Sequence, residues 1–234
     1  MLLNSEDHRR IEMAVAAAEA TTRGEIVCVV TDEAANYAEV PLAWAAAISL
    51  LAPILAVAVA GVAGRFDYAF GGWAVSHVAA IHAAVLTAVT SYALAQLVLF
   101  MGVFVLVSIP QIRRRLTPAL LKRAQVRARA LEQFYAQNLD KTRDRTGVLI
   151  FVSLFDRRAE VLADAGISDK LHPSAWADVI ADLVAGIRAG KPGDGFTAAI
   201  ERCGGYLAAH FPAGPDNPDE LPNVLIEAPV RPSS

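Results

Sequence analysis

The sequence is poor in the residues from which catalytic and metal centres are usually built. It has two cysteines, Cys28 and Cys203, with no C-x-x-C pair, so a zinc ribbon or a dithiol redox centre is excluded. It contains no G-x-S-x-G, no H-E-x-x-H and no P-loop. The stretch "GKPGDG" at 190–195 has glycines and a lysine but neither the spacing nor the preceding strand that phosphate binding requires. The five histidines are scattered. His77 and His82 stand about 140° apart around a helix, so they make no metal pair, while His172 and His210 flank helices, where capping is the common role. Net charge is -3, which argues against nucleic acid. The start "MLLNSEDHRRIEM" lacks the apolar core of a signal peptide, so export is not expected from it.

Apolar residues, by contrast, are in excess, with 55% hydrophobic residues and a mean hydropathy of +0.39, more than a soluble domain usually carries. Leu42–Ala63 runs 22 residues without a charge, enough at about 1.5 Å per residue to cross a hydrocarbon core of about 30 Å. Pro53 kinks such a helix without disqualifying it. After the polar stretch "GRFDYAFGG" at 64–72, apolar character resumes at Trp73 and continues to Pro110. Either the segment 73–91 is interfacial or an extension of a second span at about 91–109, or it crosses on its own. The second partition needs a turn near Thr90–Tyr92, where no Gly, Pro or charge stands. It would also put the strands read at 24–32 and 148–154 on opposite sides of the membrane, which is impossible if they share a sheet, so two spans are expected.

Arg113, Arg114, Arg115, Lys122, Arg123, Arg127 and Arg129 follow the second span with no acid before Glu132, whereas the intervening loop holds only Arg65 and Asp67. The positive-inside rule then puts both termini in the cytoplasm. The cluster reads first as a topology determinant and second as a binding site for anionic lipid headgroups. Cys28, in a buried strand, and Cys203, in an amphipathic helix, read as core residues, and a cytoplasmic location argues against a disulfide.

The remaining sequence reads as an α/β domain in two pieces. Asn4 or Ser5 caps a helix to about Ala20 with Ile11, Val15 and Ala18 on one face. "GEIVCVVTD" at 24–32 is a strand. Thr117 and Pro118 start a long helix to about Lys141, whose expected inner face is Leu120, Leu121, Ala124, Leu131, Phe134, Tyr135 and Leu139. Val148–Leu154 is apolar at every position but Ser153 and needs cover on both faces. Ala159–Ala163 reads as an edge strand with a wet face. Helices follow at Pro173–Ala189, ended by Gly190, and from Phe196 to about Ala209. The proline-rich tail "PAGPDNPDELPNVLIEAPVRPSS" reads as irregular. A helical crossover makes the first two strands parallel, and the third pairs antiparallel with the second. The expected organisation is an N-terminal part at 1–39, an inserted helical hairpin at 40–112, a C-terminal part at 113–228 and a disordered tail at 229–234.

Several stretches, "AEATTRGEIVCVV", "TRDRTGVLIFVSLFDRRAEVLADAGI", "GDGFTAAIERCGGYLAAHFP" and "DELPNVLIE", resemble the TPM domain, in particular its bacterial membrane-protein branch with a transmembrane insertion. The resemblance covers roughly residues 5–37 and 116–228. It implies a small mixed sheet flanked by helices. Relatives include a thylakoid-lumen protein described as an acid phosphatase, a photosystem II repair factor and an auxiliary subunit of acetylcholine receptors, so an accessory role beside another membrane protein or complex is the leading expectation. A metal-dependent phosphatase is the alternative.

In many relatives an acid precedes the strand that corresponds to Val148–Leu154, and acids near the strand ends hold a divalent cation such as calcium. Here the stretch is "RDRTG", with Arg145 where the acid is expected and Asp144 displaced. The acids left as metal or ligand candidates are Asp32, Asp156, Asp164 and Asp169. Asp164 reads first as a turn or helix-capping carboxylate and second as a ligand group. Arg157 and Arg158 read first as a solvated turn and second as a phosphate or acidic-partner site. With no ionisable group in the spans and Gln96 their one strongly polar residue, a transporter is disfavoured.

Overall fold

A computed structural model describes residues 2–62, 78–171, 173–215, 218 and 220–229, the side chains at 60–62, 78–84 and 173 aside. The chain forms two compact units, one made of residues 1–36 and 118–234, the other of residues 37–117. The expectations for residues 64–72, for His77 and His172, for the His82 side chain and for the end of the tail lie outside the described residues.

The first unit is a mixed α/β structure. Helix α1 (Ser5–Glu19) starts at Asn4, whose side chain accepts from the Asp7 amide at 2.7 Å, with Glu6 and Asp7 in the first turn where the helix dipole favours acids. Strand β1 (Glu25–Thr31) is buried at every residue, as is β2 (Gly147–Ser153). They pair in parallel from Glu25↔Gly147 to Thr31↔Ser153. Strand β3 (Arg158–Ala163) returns antiparallel on β2 and forms one edge. Continuous apolar runs at 26–30 and 148–152 follow from this placement, because each strand has neighbours on both sides and helices on both faces.

On one face α1 packs with two later helices, its Ile11 and Val15 meeting Ile26, Cys28, Val148 and Ile150 in a shared core. Those helices, which we label α7 and α8, span Pro173–Arg188 and Pro192–His210. The latter begins four residues before the expected Phe196, since Pro192 suits a first helical turn. They cross closely: a Cβ at Gly186 would stand 2.5 Å from the Gly195 Cα. The opposite face carries α5 (Ala119–Ala136), whose Val126, Ala130 and Phe134 cover Val27, Val29, Leu149 and Phe151.

Two expectations are corrected here. The inner face of α5 is only partly the expected one: Phe134 and, just past the helix, Leu139 are buried, but Leu120 (78%) and Tyr135 (61%) point outward, Leu131 and Ala124 are exposed too, and the buried set of the helix is Val126, Arg129, Ala130, Gln133 and Phe134. Two apolar stripes share this helix, and the sheet takes the one that holds Val126, Ala130 and Phe134. The helix also stops at Ala136, where Asn138 turns the chain at φ 56° into a short 3-10 segment, Leu139–Lys141. Second, the tail is not wholly irregular. Leu225–Ala228 forms β4, parallel to β1 along Cys28↔Leu225 to Thr31↔Ala228, which completes the sheet order β3-β2-β1-β4.

In the second unit, α2 (Glu39–Val62) carries Pro53 internally and α3 runs unbroken over Val78–Ser108. The segment 78–91 is therefore a continuation of the second helix, and no turn occurs at Thr90–Tyr92. Pro41, Ala45 and Ser49, four apart, are buried, and the Gln96 amide donates to the Ser49 carbonyl. A short helix α4 (Pro110–Leu116) follows and carries Arg113–Arg115. Both long helices have stretches long and apolar enough to cross a membrane, 21 residues at Glu39–Val59 and 24 at Val85–Ser108.

Candidate functional site

The sheet's polarity separates the four candidate carboxylates. Asp32 follows β1, and Asp156 sits in the turn after β2, so both lie at the end where Thr31, Ser153 and Arg158 are in register. Asp164 ends β3 beside the start of β2, its amide donating to the Gly147 carbonyl at 2.9 Å. Asp169 follows five residues later. Six steps of strand, about 20 Å, lie between the pairs. The four do not converge on one point.

At the first end the carboxylate that matters structurally is Asp156, 7% exposed. Its Oδ2 accepts from the Ser153 hydroxyl at 2.7 Å and from the Ala34 amide at 3.2 Å. The Asp32 carbonyl accepts from Phe155 N–H at 2.7 Å, while the Asp32 side chain is exposed. Asp156 thus ties the loop after β1 to the β2–β3 turn, where Arg157 takes φ 50°. Arg157 is exposed in that turn and Arg158 opens β3.

At the second end Asp164 caps a single helical turn, α6 (Ala165–Ser168), accepting from the Ala165 amide at 2.6 Å. Arg145 approaches the same carboxylate with two nitrogens, Nη2 to Oδ1 at 3.1 Å and Nε to Oδ2 at 3.3 Å. The hydrogen bond, and then the charge, of Asp164 raise the Arg145 guanidinium above its ordinary value. Arg145 adopts φ 54° to reach it, a left-handed conformation that costs an L-residue about 1–2 kcal/mol. Gly166 packs over this turn, with a would-be Cβ only 2.6 Å from the Arg145 carbonyl. Asp169 is the exposed C-cap of α6.

A divalent cation held by acids does not fit Asp164. Its two oxygens already face a guanidinium and a backbone amide, and a hard cation needs several oxygens converging on it. Among the described residues, no group of three or more His, Cys, Asp or Glu side chains is placed to hold a metal.

The basic cluster is likewise divided. Arg113, Arg114 and Arg115 lie on α4, while Lys122, Arg123, Arg127 and Arg129 lie on α5. Arg129 is 5% exposed and structural, donating to Glu132 Oε1 at 2.7 Å and to the Pro229 carbonyl at 2.8 Å. Arg129 is thus turned inward, unlike the exposed Arg123 and Arg127. Arg127 pairs with Glu160 on the edge strand at 2.5 Å.

One polar group went unanticipated because the tail read as irregular. Glu227 on β4 accepts from the amides of Leu2 and Leu3 at 2.8 and 3.3 Å and contacts His8 Nε2 at 3.0 Å, so it closes the sheet edge onto the start of the chain. Partial burial works to raise this carboxyl, but the hydrogen bonds from His8, Leu2 and Leu3 outweigh it and hold the group below its ordinary value. The sequence signal was Val224–Ile226, a short apolar run between prolines. Cys28 and Cys203 are buried free thiols in the core shared with α1 and α8. Burial pushes Cys203 up to about 12 and Cys28 well above its ordinary value, which makes both poor nucleophiles. His210 ends α8, its Nδ1 donating to the Tyr206 carbonyl at 3.0 Å.

A four-stranded mixed sheet between helical layers, with two apolar helices placed in sequence between its parallel central strands, defines the class of protein. Residues 111–206 match the model of the TPM domain. The match opens at α4 and closes inside α8, so α1, β1 and β4 lie beyond it. The fold is similar to that of the BA42 protein from the psychrophilic bacterium Bizionia argentinensis, solved by NMR, with 18% identity and a TM-score of 0.54 over 97% of this chain and 95% of that one. No curated protein sequence matches the chain.

Proposed function

We propose that this protein is a membrane-anchored accessory module of a bacterial inner membrane, with both termini and the TPM domain in the cytoplasm. The observation that carries the reading is the surface of α2 and α3. Leu50, Ile54 and Val98 are 66%, 66% and 71% exposed, and a pair of helices with that much apolar surface is at odds with water and suited to lipid. Gln96 turns its amide onto the Ser49 carbonyl, the kind of polar contact that joins helices in a bilayer. Arg113–Arg115 directly after the second helix support a cytoplasmic C-terminal side.

An interaction role accords with the state of the candidate acids. Asp156 and Asp164 are engaged in holding turns together, and the remaining two are exposed and at opposite ends of the sheet. The partner we propose is another membrane protein or complex. Reporter fusions at residues 2 and 234 are expected to score as cytoplasmic and one at Asp67 as external. An external C-terminus would refute the two-span reading. Purification in mild detergent should retain a membrane protein in stoichiometric amount, and recovery of the chain alone under every mild condition would count against the accessory role.

A further inference from the structure

The outward face of α5 is apolar where a solvated helix would be polar. Leu120, Ala124, Ala128, Leu131 and Tyr135 are all exposed, and at about 100° per residue they fall within about 80° of arc. The stripe runs most of the helix, about 22 Å from Leu120 to Tyr135. The opposite side of the same helix is spent on the sheet. Of these residues Tyr135 also meets the core ring of Phe134 edge-on, at 5.7 Å between centroids.

Two features of the chain say what meets this face. The first is continuity: only Ile109, the short helix α4 and the pair Thr117–Pro118 separate α3 from α5. A segment leaving the bilayer therefore leads directly into the stripe. The second is charge, since residues 110–136 carry six basic side chains besides the buried Arg129, against the single acid Glu132. Arg123, which is exposed, and Arg127, with 60% of its side chain exposed beside its ion pair to Glu160, flank the stripe along one side. A second copy of the chain would bring like charge against like charge. An anionic lipid surface would not.

We infer that α5 lies in the interface of the anionic cytoplasmic leaflet, its Leu120–Tyr135 stripe among the upper acyl chains and its basic flank at the headgroups. The helix thereby has two roles. It covers one face of the sheet, and it sets which face of the domain is turned to the membrane and which is left for a partner. The inference rests on the reading that α2 and α3 cross the bilayer, and the test separates the two.

The full-length protein is reconstituted into vesicles of two parts phosphatidylcholine to one part phosphatidylglycerol, with spin labels on Leu120→Cys, Leu131→Cys, Val98→Cys and Arg188→Cys in turn. The native thiols are buried and do not compete for label. Val98 reports the hairpin and exposed Arg188, on the helix layer across the sheet, reports water. Labels at 98, 120 and 131 are expected to collide with oxygen and to lose collisions with a water-soluble nickel chelate, while 188 shows the reverse. Ala124→Cys, which removes no packing, repeats the measurement should Leu131→Cys disturb the fold. Nickel access at 120 and 131 equal to that at 188, with 98 still in lipid, overturns the inference and leaves the hairpin intact. Nickel access at 98 overturns both. Spin–spin broadening at 120 would show a second copy on the stripe and overturn the lipid assignment, as would unchanged embedding of 120 and 131 in vesicles of phosphatidylcholine alone.

Discussion

Replacing Arg145 by glycine and by alanine separates what its side chain does from what its backbone does. Both variants lose the guanidinium that reaches Asp164, so that loss cancels between them. They differ in the left-handed conformation at φ 54°, which costs alanine about 1–2 kcal/mol and glycine nothing. Glycine gives back about 0.5–1 kcal/mol through the greater freedom of its unfolded chain. The glycine variant should therefore be the more stable by about 0.5–1 kcal/mol, a rise in Tm of about 1–4 °C for a unit of this size. Thermal unfolding in mild detergent, followed by circular dichroism, measures it. Asp164→Asn in each background then shows whether the guanidinium and carboxylate act on each other, because the effect of removing the charge should shrink once Arg145 is gone. An alanine variant as stable as the glycine variant would mean that residue 145 is not held left-handed, and the account of this turn would fail.

Glu227 is held below its ordinary value, so its hydrogen bonds to His8, Leu2 and Leu3 contribute stability that is present above the unfolded carboxyl's pKa and lost as pH falls through the folded one; Glu227→Gln should flatten the fall in Tm below about pH 5, and an unchanged acid limb would contradict this. Cys28 and Cys203 should resist a maleimide in the native protein at pH 8 and react when it is denatured. Gln96→Leu should weaken the association of α2 with α3 by about 0.6–1.7 kcal/mol in lipid, read by proteolysis of reconstituted protein; an unchanged rate would show that the contact to Ser49 is idle. The purified protein should hydrolyse a generic phosphomonoester no faster with added calcium or magnesium than without, and metal-dependent turnover abolished by Asp164→Asn would restore the phosphatase reading.

Much of this architecture was written in period and composition. The apolar runs at 26–30 and 148–152 could only be interior strands, and their distance apart in sequence demanded a crossover. What was less legible depended on competition between equally apolar surfaces. Helix α5 has Leu120, Leu131 and Tyr135 on one stripe and Val126, Ala130 and Phe134 on another, and hydrophobicity alone favours the larger residues. The sheet instead takes the stripe of Val126, Ala130 and Phe134, leaving Leu120, Leu131 and Tyr135 outward. Strand β4 was hidden by the prolines around it, although an open edge on β1, with its continuous apolar run at 26–30, invited a partner. The separation of the acids was implied by the topology itself. A residue after β1 and one after an antiparallel β3 must stand at opposite ends of the sheet, so Asp32 and Asp164 were never candidates for one site. The Arg145–Asp164 contact needed coordinates, since it depends on a left-handed residue that sequence disfavours.

The central claim is that one α/β domain is closed by strands from both sides of an inserted apolar hairpin. Replacing residues 37–117 by a flexible linker of about ten residues, with a reach of about 16–19 Å, tests it directly, with residues 118–234 alone as the control. The account predicts that the linked protein is soluble and monomeric and unfolds in one cooperative transition, while the control, which leaves β2 without β1, aggregates or stays loosely packed. A control that unfolds cooperatively by itself, beside a linked protein that does not, would show that residues 1–36 belong to no common domain.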